Sequence, residues 1–162
     1  MPNTEALLQE IEAAFPPSEK PEGSALSFHQ SGCSECEYLR QDLEQYSALT
    51  LPDEAIRYLH NDLSCLSAQG LRWVLPSYLR RCVTQDAEYD AIETEFLIYN
   101  LAPEENFEDG TRSRFSWLSR EQIKCIFHFL EWCRDHPYWS KYCAKDIARA
   151  LTFVCSLTTN GT

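Results

Sequence analysis

The sequence predicts an all-α fold, an irregular bundle of six or seven helices with one of them kinked at Pro76. Apolar residues recur at steps of three and four through six or seven segments, the spacing of one helix face. No set of alternating segments reads as strands. The chain of 162 residues is 44% hydrophobic and 12% aromatic, enough to build a core without a disulfide or metal staple. With 5 glycines it is neither collagen-like nor a flexible linker. No apolar run approaches the roughly 18 residues of a membrane span.

Residues 1–162 read as one domain: an N-terminal helix (1–15), a loop (16–32), a main body (33–134) and a C-terminal helix (138–157). Leu7, Leu8, Ile11, Ala14 and Phe15 make the first stripe, with Thr4 as its expected cap and Pro16-Pro17 as its stop. Residues 16–32, with Pro, Ser and two glycines, read as a loop; a strand at Ala25–His29 has weak support. Ser34 is the expected cap of a helix carrying Cys36, Leu39, Leu43 and Tyr46. Thr50 and Pro52 open a short helix with Ile56, Leu59 and Leu63.

The clearest helix follows Ser67, with Leu71, Val74, Leu75, Tyr78, Leu79 and Cys82 on one face. Pro76 lies inside it. Its missing N–H and its ring both disturb the carbonyl of Arg72, so a kink, or two short helices, is expected. Trp73, Tyr78, Arg80 and Arg81 around it could line a groove; core packing is the simpler reading. Gly70 permits a close approach or sits where glycine costs little. A helix from Asp86 through Ile92, Phe96 and Tyr99 would show Glu88, Asp90, Glu93 and Glu95 to solvent, although Glu95–Leu101 could also be a strand. Residues 102–114 read as a polar loop. Ser119 and Gln122 have the spacing of a capping box, ahead of Ile123, Ile126, Phe127, Phe129, Leu130, Trp132 and Cys133. His128 reads as a core histidine and His136 as a C-terminal cap that favours the helix dipole. A last helix from about Ser140 uses Cys143, Ile147, Ala150, Leu151 and Val154.

The formal charge is −11 and uneven. Residues 1–110 hold 21 Asp/Glu against 6 Lys/Arg, and residues 111–162 hold 4 against 8. That balance disfavours nucleic acid and anionic membranes, whose recognition needs cations. The basic C-terminal part (Arg112, Arg114, Arg120, Lys124, Arg134, Lys141, Lys145, Arg149) could bind nucleic acid, the protein's own acidic face or a second copy in a homodimer. The first residues carry no basic and apolar leader, so the 8 cysteines are expected as reduced thiols in a cytoplasm.

Two patches stand out chemically. His29-x3-Cys33-x2-Cys36 has metal-like spacing, since two thiolates two residues apart can reach one tetrahedral Zn²⁺. A closed site needs a fourth ligand; His60 is the nearest other imidazole in sequence. The simpler reading is a helix start with Cys36 in the core and Cys33 in the loop. A redox Cys-x-x-Cys lacks its strand-to-helix context. The second patch is acidic: Asp86, Glu88, Asp90, Glu93, Glu95, Glu104, Glu105, Glu108 and Asp109. A solvated face is the plain reading, and a decoy for a basic groove the sharper one. No nucleophile elbow, P-loop, dinucleotide-binding glycine pattern, H-E-x-x-H or EF-hand loop occurs.

The run Leu66-Ser67-x-x-Gly70-x-Arg72-Trp73-x-Leu75-Pro76-x-Tyr78-Leu79 resembles the signature of a bacterial family of small proteins of unknown function. Cys33-x-Glu35-Cys36 is similar to that family's cysteine–glutamate motif, and Phe115-x-x-Leu118-x-x-x-Gln122-x-x-x-Ile126-x-x-Phe129-Leu130 to its closing helix. The resemblance covers roughly residues 5–134. It implies a bacterial or phage-borne cytoplasmic protein and brings no activity, cofactor or catalytic residue with it.

The expectation is therefore a non-enzymatic acidic binding protein that occludes or regulates a partner with a basic surface, like immunity proteins, antitoxins or phage inhibitors. It needs no cofactor. The alternative is a small zinc-binding regulatory or enzymatic domain built on His29, Cys33 and Cys36.

Overall fold

A computed structural model describes residues 3–59, 61–85 and 92–159. Among them the chain forms helices and no strand. The helices are α1 (Thr4–Ala14), α2 (Ser34–Leu43), α3 (Asp53–Leu59), α4 (Ala68–Thr84), α5 (Ile92–Asn100), α6 (Glu108–Arg114), α7 (Arg120–Asp135), α8 (Trp139–Tyr142) and α9 (Ala144–Thr159). Three 3-10 turns, Gly23–Leu26, Leu63–Cys65 and Glu105–Phe107, sit between them. The all-α expectation holds. No helix among the described residues is long and apolar enough to cross a membrane.

The core lies between two layers. α7 packs against α9, α1 and α8, while α4 packs against α1, α3, α5 and the first 3-10 turn. Ile123, Ile126, Phe129, Leu130 and Cys133 of α7 are buried, as are Leu71, Trp73, Val74, Leu75, Tyr78 and Leu79 of α4. Trp73 and Tyr78 are thus core residues, and their polar atoms are satisfied. Trp73 Nε1 donates to the Ala48 carbonyl at 3.0 Å, and the Tyr78 hydroxyl donates to the Glu93 carbonyl at 2.8 Å.

The caps follow local chemistry. Ser119 and Gln122 form the capping box, with bonds of 3.2 and 2.9 Å. The Gln122 amide also donates to the Ala14 carbonyl at 3.1 Å and so closes the C-terminal end of α1. Ser67 caps α4 by accepting from the Gly70 N–H at 3.0 Å. Two expected caps are displaced by one residue. Asn3, not Thr4, caps α1, because its carboxamide oxygen accepts from Ala6 at 3.0 Å. The Thr4 hydroxyl instead accepts from Trp132 Nε1 at 3.2 Å. Cys33, not Ser34, occupies the cap position of α2, and its thiol makes no capping bond.

Pro76 does not divide α4, which runs unbroken from Ala68 to Thr84. Proline offers no N–H to the Arg72 carbonyl. The Ser18 hydroxyl supplies the missing donor at 3.1 Å, from the segment between α1 and α2. Other expectations also change. Glu95–Leu101 is not a strand, since Glu95–Asn100 lies within α5; the proposed start of that helix at Asp86 falls outside the described residues. Residues 102–114 are not all loop, because α6 fills 108–114. It carries no apolar stripe, its buried residues being Thr111 and Arg114, so periodicity could not find it. Ala25–His29 is no strand either; it contributes a single bridge, Ser27 to Leu66. His136 does sit at the C-terminal cap of α7, but its Nδ1 accepts from the Tyr138 N–H at 3.2 Å. Burial also pushes its pKa down, so it caps as a neutral ring rather than a cation. His128 is only half-buried, and its Nδ1 lies 2.8 and 2.9 Å from the two Glu10 oxygens, tying α7 to α1.

Candidate functional site

The thiol–imidazole patch is assembled by a chain reversal. Gly32 adopts φ +78°, a conformation that L side chains rarely take, just before the chain enters α2. Residues 26–28 run beside residues 65–67. Phe28 N–H donates to the Cys65 carbonyl at 2.6 Å, and Ser67 N–H to the Leu26 carbonyl at 3.1 Å. Arg40 of α2 donates to the Ser27 hydroxyl and to the His29 carbonyl, the latter at 3.2 Å. His29 is thereby fixed over the first turn of α2. Gly70 explains how α4 approaches so closely. A Cβ there would stand 2.3 Å from the Leu26 carbonyl oxygen, a backbone atom with little room to yield.

In that corner one ligand atom from each of His29, Cys33 and Cys36 lies within 4.8 Å of the others. His29 Nδ1 is 3.8 Å from Cys36 Sγ. Cys36 is buried, Cys33 half-buried and His29 exposed. The expected burial of Cys36 is therefore correct, and the three donors converge as well. Cys33 and Cys36 are both free thiols. Burial raises the Cys36 pKa, with the neighbouring Cys33 adding to the effect. Cys65, which the sequence reading did not single out, lies at the same place. Its carbonyl is 3.9 Å from Cys36 Sγ, and burial together with Cys36 pushes its thiol up to about 12. No spacing rule links Cys65 to Cys36; the packing of α2 on the Leu63–Cys65 turn brings them together. His60 lies outside the described residues.

The acidic patch does not survive as one surface. Asp86, Glu88 and Asp90 lie outside the described residues. Glu93, expected to face solvent, has 0% of its surface exposed. The reason is Arg57 of α3, whose Nη1 stands 3.2 Å from both Glu93 oxygens. Glu95 is half-buried and accepts from the Tyr99 hydroxyl. Glu108 pairs with Arg112 at 2.8 Å, one turn along α6. Glu104, Glu105 and Asp109 remain exposed, and between them Phe107 is 67% exposed. Beside them runs a groove of about 430 Å³ whose walls include Phe96, Tyr99, Glu104, Phe107, Arg114 and Arg149.

Of the basic C-terminal residues Arg114 is buried and Arg112 half-buried, while Arg120, Lys124, Arg134, Lys141, Lys145 and Arg149 are exposed. Arg149 donates to the Ala102 carbonyl at 2.8 Å and pairs with Asp146 at 3.2 Å. Arg134 pairs with Asp135 at 3.1 Å. Arg114 is buried; it donates to the Leu63 carbonyl at 3.2 Å and lies over the Phe115 ring. The ion pairs of Arg134 and Arg149 are local, with carboxylates one to three residues away.

No curated protein and no solved structure matches the chain. A family profile described as a family of unknown function matches residues 3–142, from the cap of α1 to the end of α8. By that match the chain belongs to the family of unknown function DUF6714.

Proposed function

We propose that this chain is a non-enzymatic binding protein that occludes or regulates a protein partner with a basic surface. The observation that carries the reading is the exposed Phe107, which with Glu104 lines the groove and has the exposed Glu105 and Asp109 two residues away on either side in sequence. A large exposed aromatic among carboxylates suits a Lys- or Arg-bearing segment. The acids steer it, and the ring takes up the cation or its aliphatic stem. An immunity-, antitoxin- or inhibitor-like role in a bacterial cytoplasm fits that surface.

An octa-arginine peptide titrated into the ¹⁵N-labelled protein tests it. Amide shifts should concentrate at residues 104–109. Glu104→Gln, Glu105→Gln and Asp109→Asn together should weaken binding about tenfold, and Phe107→Ala should weaken it several-fold without changing charge. Shifts spread evenly over the acidic surface, or no response to Phe107→Ala, would overturn the reading.

A second reading, a small zinc-binding regulatory or enzymatic domain, is favoured by the convergence of His29, Cys33 and Cys36 within 4.8 Å.

A further inference from the structure

We propose that Cys65 is the fourth ligand of a structural zinc centre formed with His29, Cys33 and Cys36, which fastens the 23–33 segment to α2 and to the Leu63–Cys65 turn. This inference rests on the zinc-binding reading and gives it a closed coordination shell.

The distances fit the ion. Zinc holds thiolate sulfur at about 2.3 Å and imidazole nitrogen at about 2.0–2.1 Å, so a tetrahedron has sulfur–nitrogen edges of about 3.6 Å and sulfur–sulfur edges of about 3.8 Å. The His29 Nδ1 to Cys36 Sγ distance is 3.8 Å. Cys36 is the hub of the corner: His29 Nδ1 and the Cys65 carbonyl oxygen lie 3.8 and 3.9 Å from its Sγ, and the Cys33 and Cys65 thiols are near enough to act on its ionisation. Three sulfurs and one imidazole make a soft donor set of the kind that closes structural zinc sites. With four ligands from the chain no position is left for water, so the centre would hold structure rather than activate a nucleophile.

The surroundings fit the charge. Loading Zn²⁺ releases the three thiol protons to solvent and leaves a neutral imidazole, so the loaded site carries one net negative charge. Cys33 occupies the cap position of α2 and Cys36 lies in its first turn, the end of a helix that favours negative charge. Arg114, buried and bonded to a carbonyl and a hydroxyl, lies close enough to Cys65 for a thiolate there to favour its cation. The corner is otherwise thin. Beyond the buried Leu26, Leu63 and Leu66, a short 3-10 turn, one bridge, a few backbone bonds and the Arg40 side chain hold it. An ion bonded to residues 29, 33, 36 and 65 ties all three segments at once.

The test uses the full chain, prepared without a polyhistidine tag. Native mass spectrometry of the protein equilibrated with Zn²⁺ should show one ion per chain. Cobalt(II) in its place should give the intense visible bands of tetrahedral thiolate coordination. Cys65→Ser should weaken the affinity roughly 100-fold and reduce the thiolate-to-metal charge-transfer band by about a third, from three thiolates to two. Cys155→Ser, at an exposed site on α9, should change neither. Because Cys65→Ser could fail to fold, alkylation of the wild-type chain supplies a second reading. Zn²⁺ should protect Cys33, Cys36 and Cys65 together and leave Cys155 reactive. No bound metal in the wild type would overturn both the zinc-binding reading and this inference. One metal ion with Cys65 unprotected, or with affinity and spectrum unchanged in Cys65→Ser, would overturn the role of Cys65 alone.

Discussion

The slab formed by α1, α4, α7 and α9 and the corner formed by residues 23–36 with 63–67 are held by different physics. The slab is joined by wide apolar faces, with Phe129, Leu130, Ile126 and Val154 all buried. Apolar attraction is non-directional and summed over area, so many small errors can be absorbed there. The corner also buries Leu26, Leu63 and Leu66, but its segments are set against one another by single directed contacts: Phe28 to Cys65, Ser67 to Leu26 and Arg40 to His29. It also carries the close approach of Gly70 to the Leu26 carbonyl. What the difference teaches is that the slab supplies stability and the corner supplies position. Chemistry that needs donors placed to a few tenths of an ångström gathers in the second kind of region.

The contrast can be broken most forcefully in the slab. Phe129→Ala removes a fully buried ring at the centre of α7 and should cost about 3–5 kcal/mol in urea unfolding. A loss near that of a surface substitution would mean that α7 is not the central helix. Alkaline pH acts on the same layer. Burial holds the Cys82 and Cys133 thiols well above their ordinary value of 9.0. Their neutral forms are thus favoured in the fold, and the stability they give is present below pH 9. It is lost as pH rises from there toward the folded values. The two together should lower the unfolding free energy by about 3 kcal/mol between pH 8 and pH 10, and Cys82→Ala should flatten that slope.

In the corner, Gly70→Ala pushes a methyl group against a backbone oxygen and should cost about 1–3 kcal/mol. Most of that should appear as lost order at residues 25–29, read by amide exchange. A uniform loss over the whole chain would erase the distinction between the two regions. The smallest effect belongs to the seam between them. Ser18→Ala removes the donor to the Arg72 carbonyl, and water can take its place at that exposed bond. About 0.5 kcal/mol is expected, with α4 unchanged by circular dichroism.

The legible parts of the molecule were those set by neighbours in sequence. The Ser67 and Ser119 caps and the apolar stripes of α4 and α7 each depend on residues within one or two turns, so spacing alone finds them. Pro76 shows where that reasoning stops. The proline signals a break, but α4 runs through it, and the Arg72 carbonyl it leaves bare is met by Ser18, 54 residues away. Glu93 fails for the same kind of reason. A carboxylate beside Glu95 reads as solvent-facing until Arg57, 36 residues away, is placed against it. The candidate site was half legible. Cys33 and Cys36 announce themselves by spacing, and His29 by proximity. Cys65 had no local signal.

The sequence by itself determined the helical class, the main helices and their caps, the acidic balance and a pair of cysteines two residues apart. Those follow from short-range periodicity, from local hydrogen bonding and from composition. Only the tertiary structure decided that Cys65 stands beside Cys36, that Glu93 is inside and Phe107 outside, and that α4 survives its proline. Each of these depends on which distant segment fills the space next to a residue. That is fixed when apolar faces pack and backbone groups find partners across the chain.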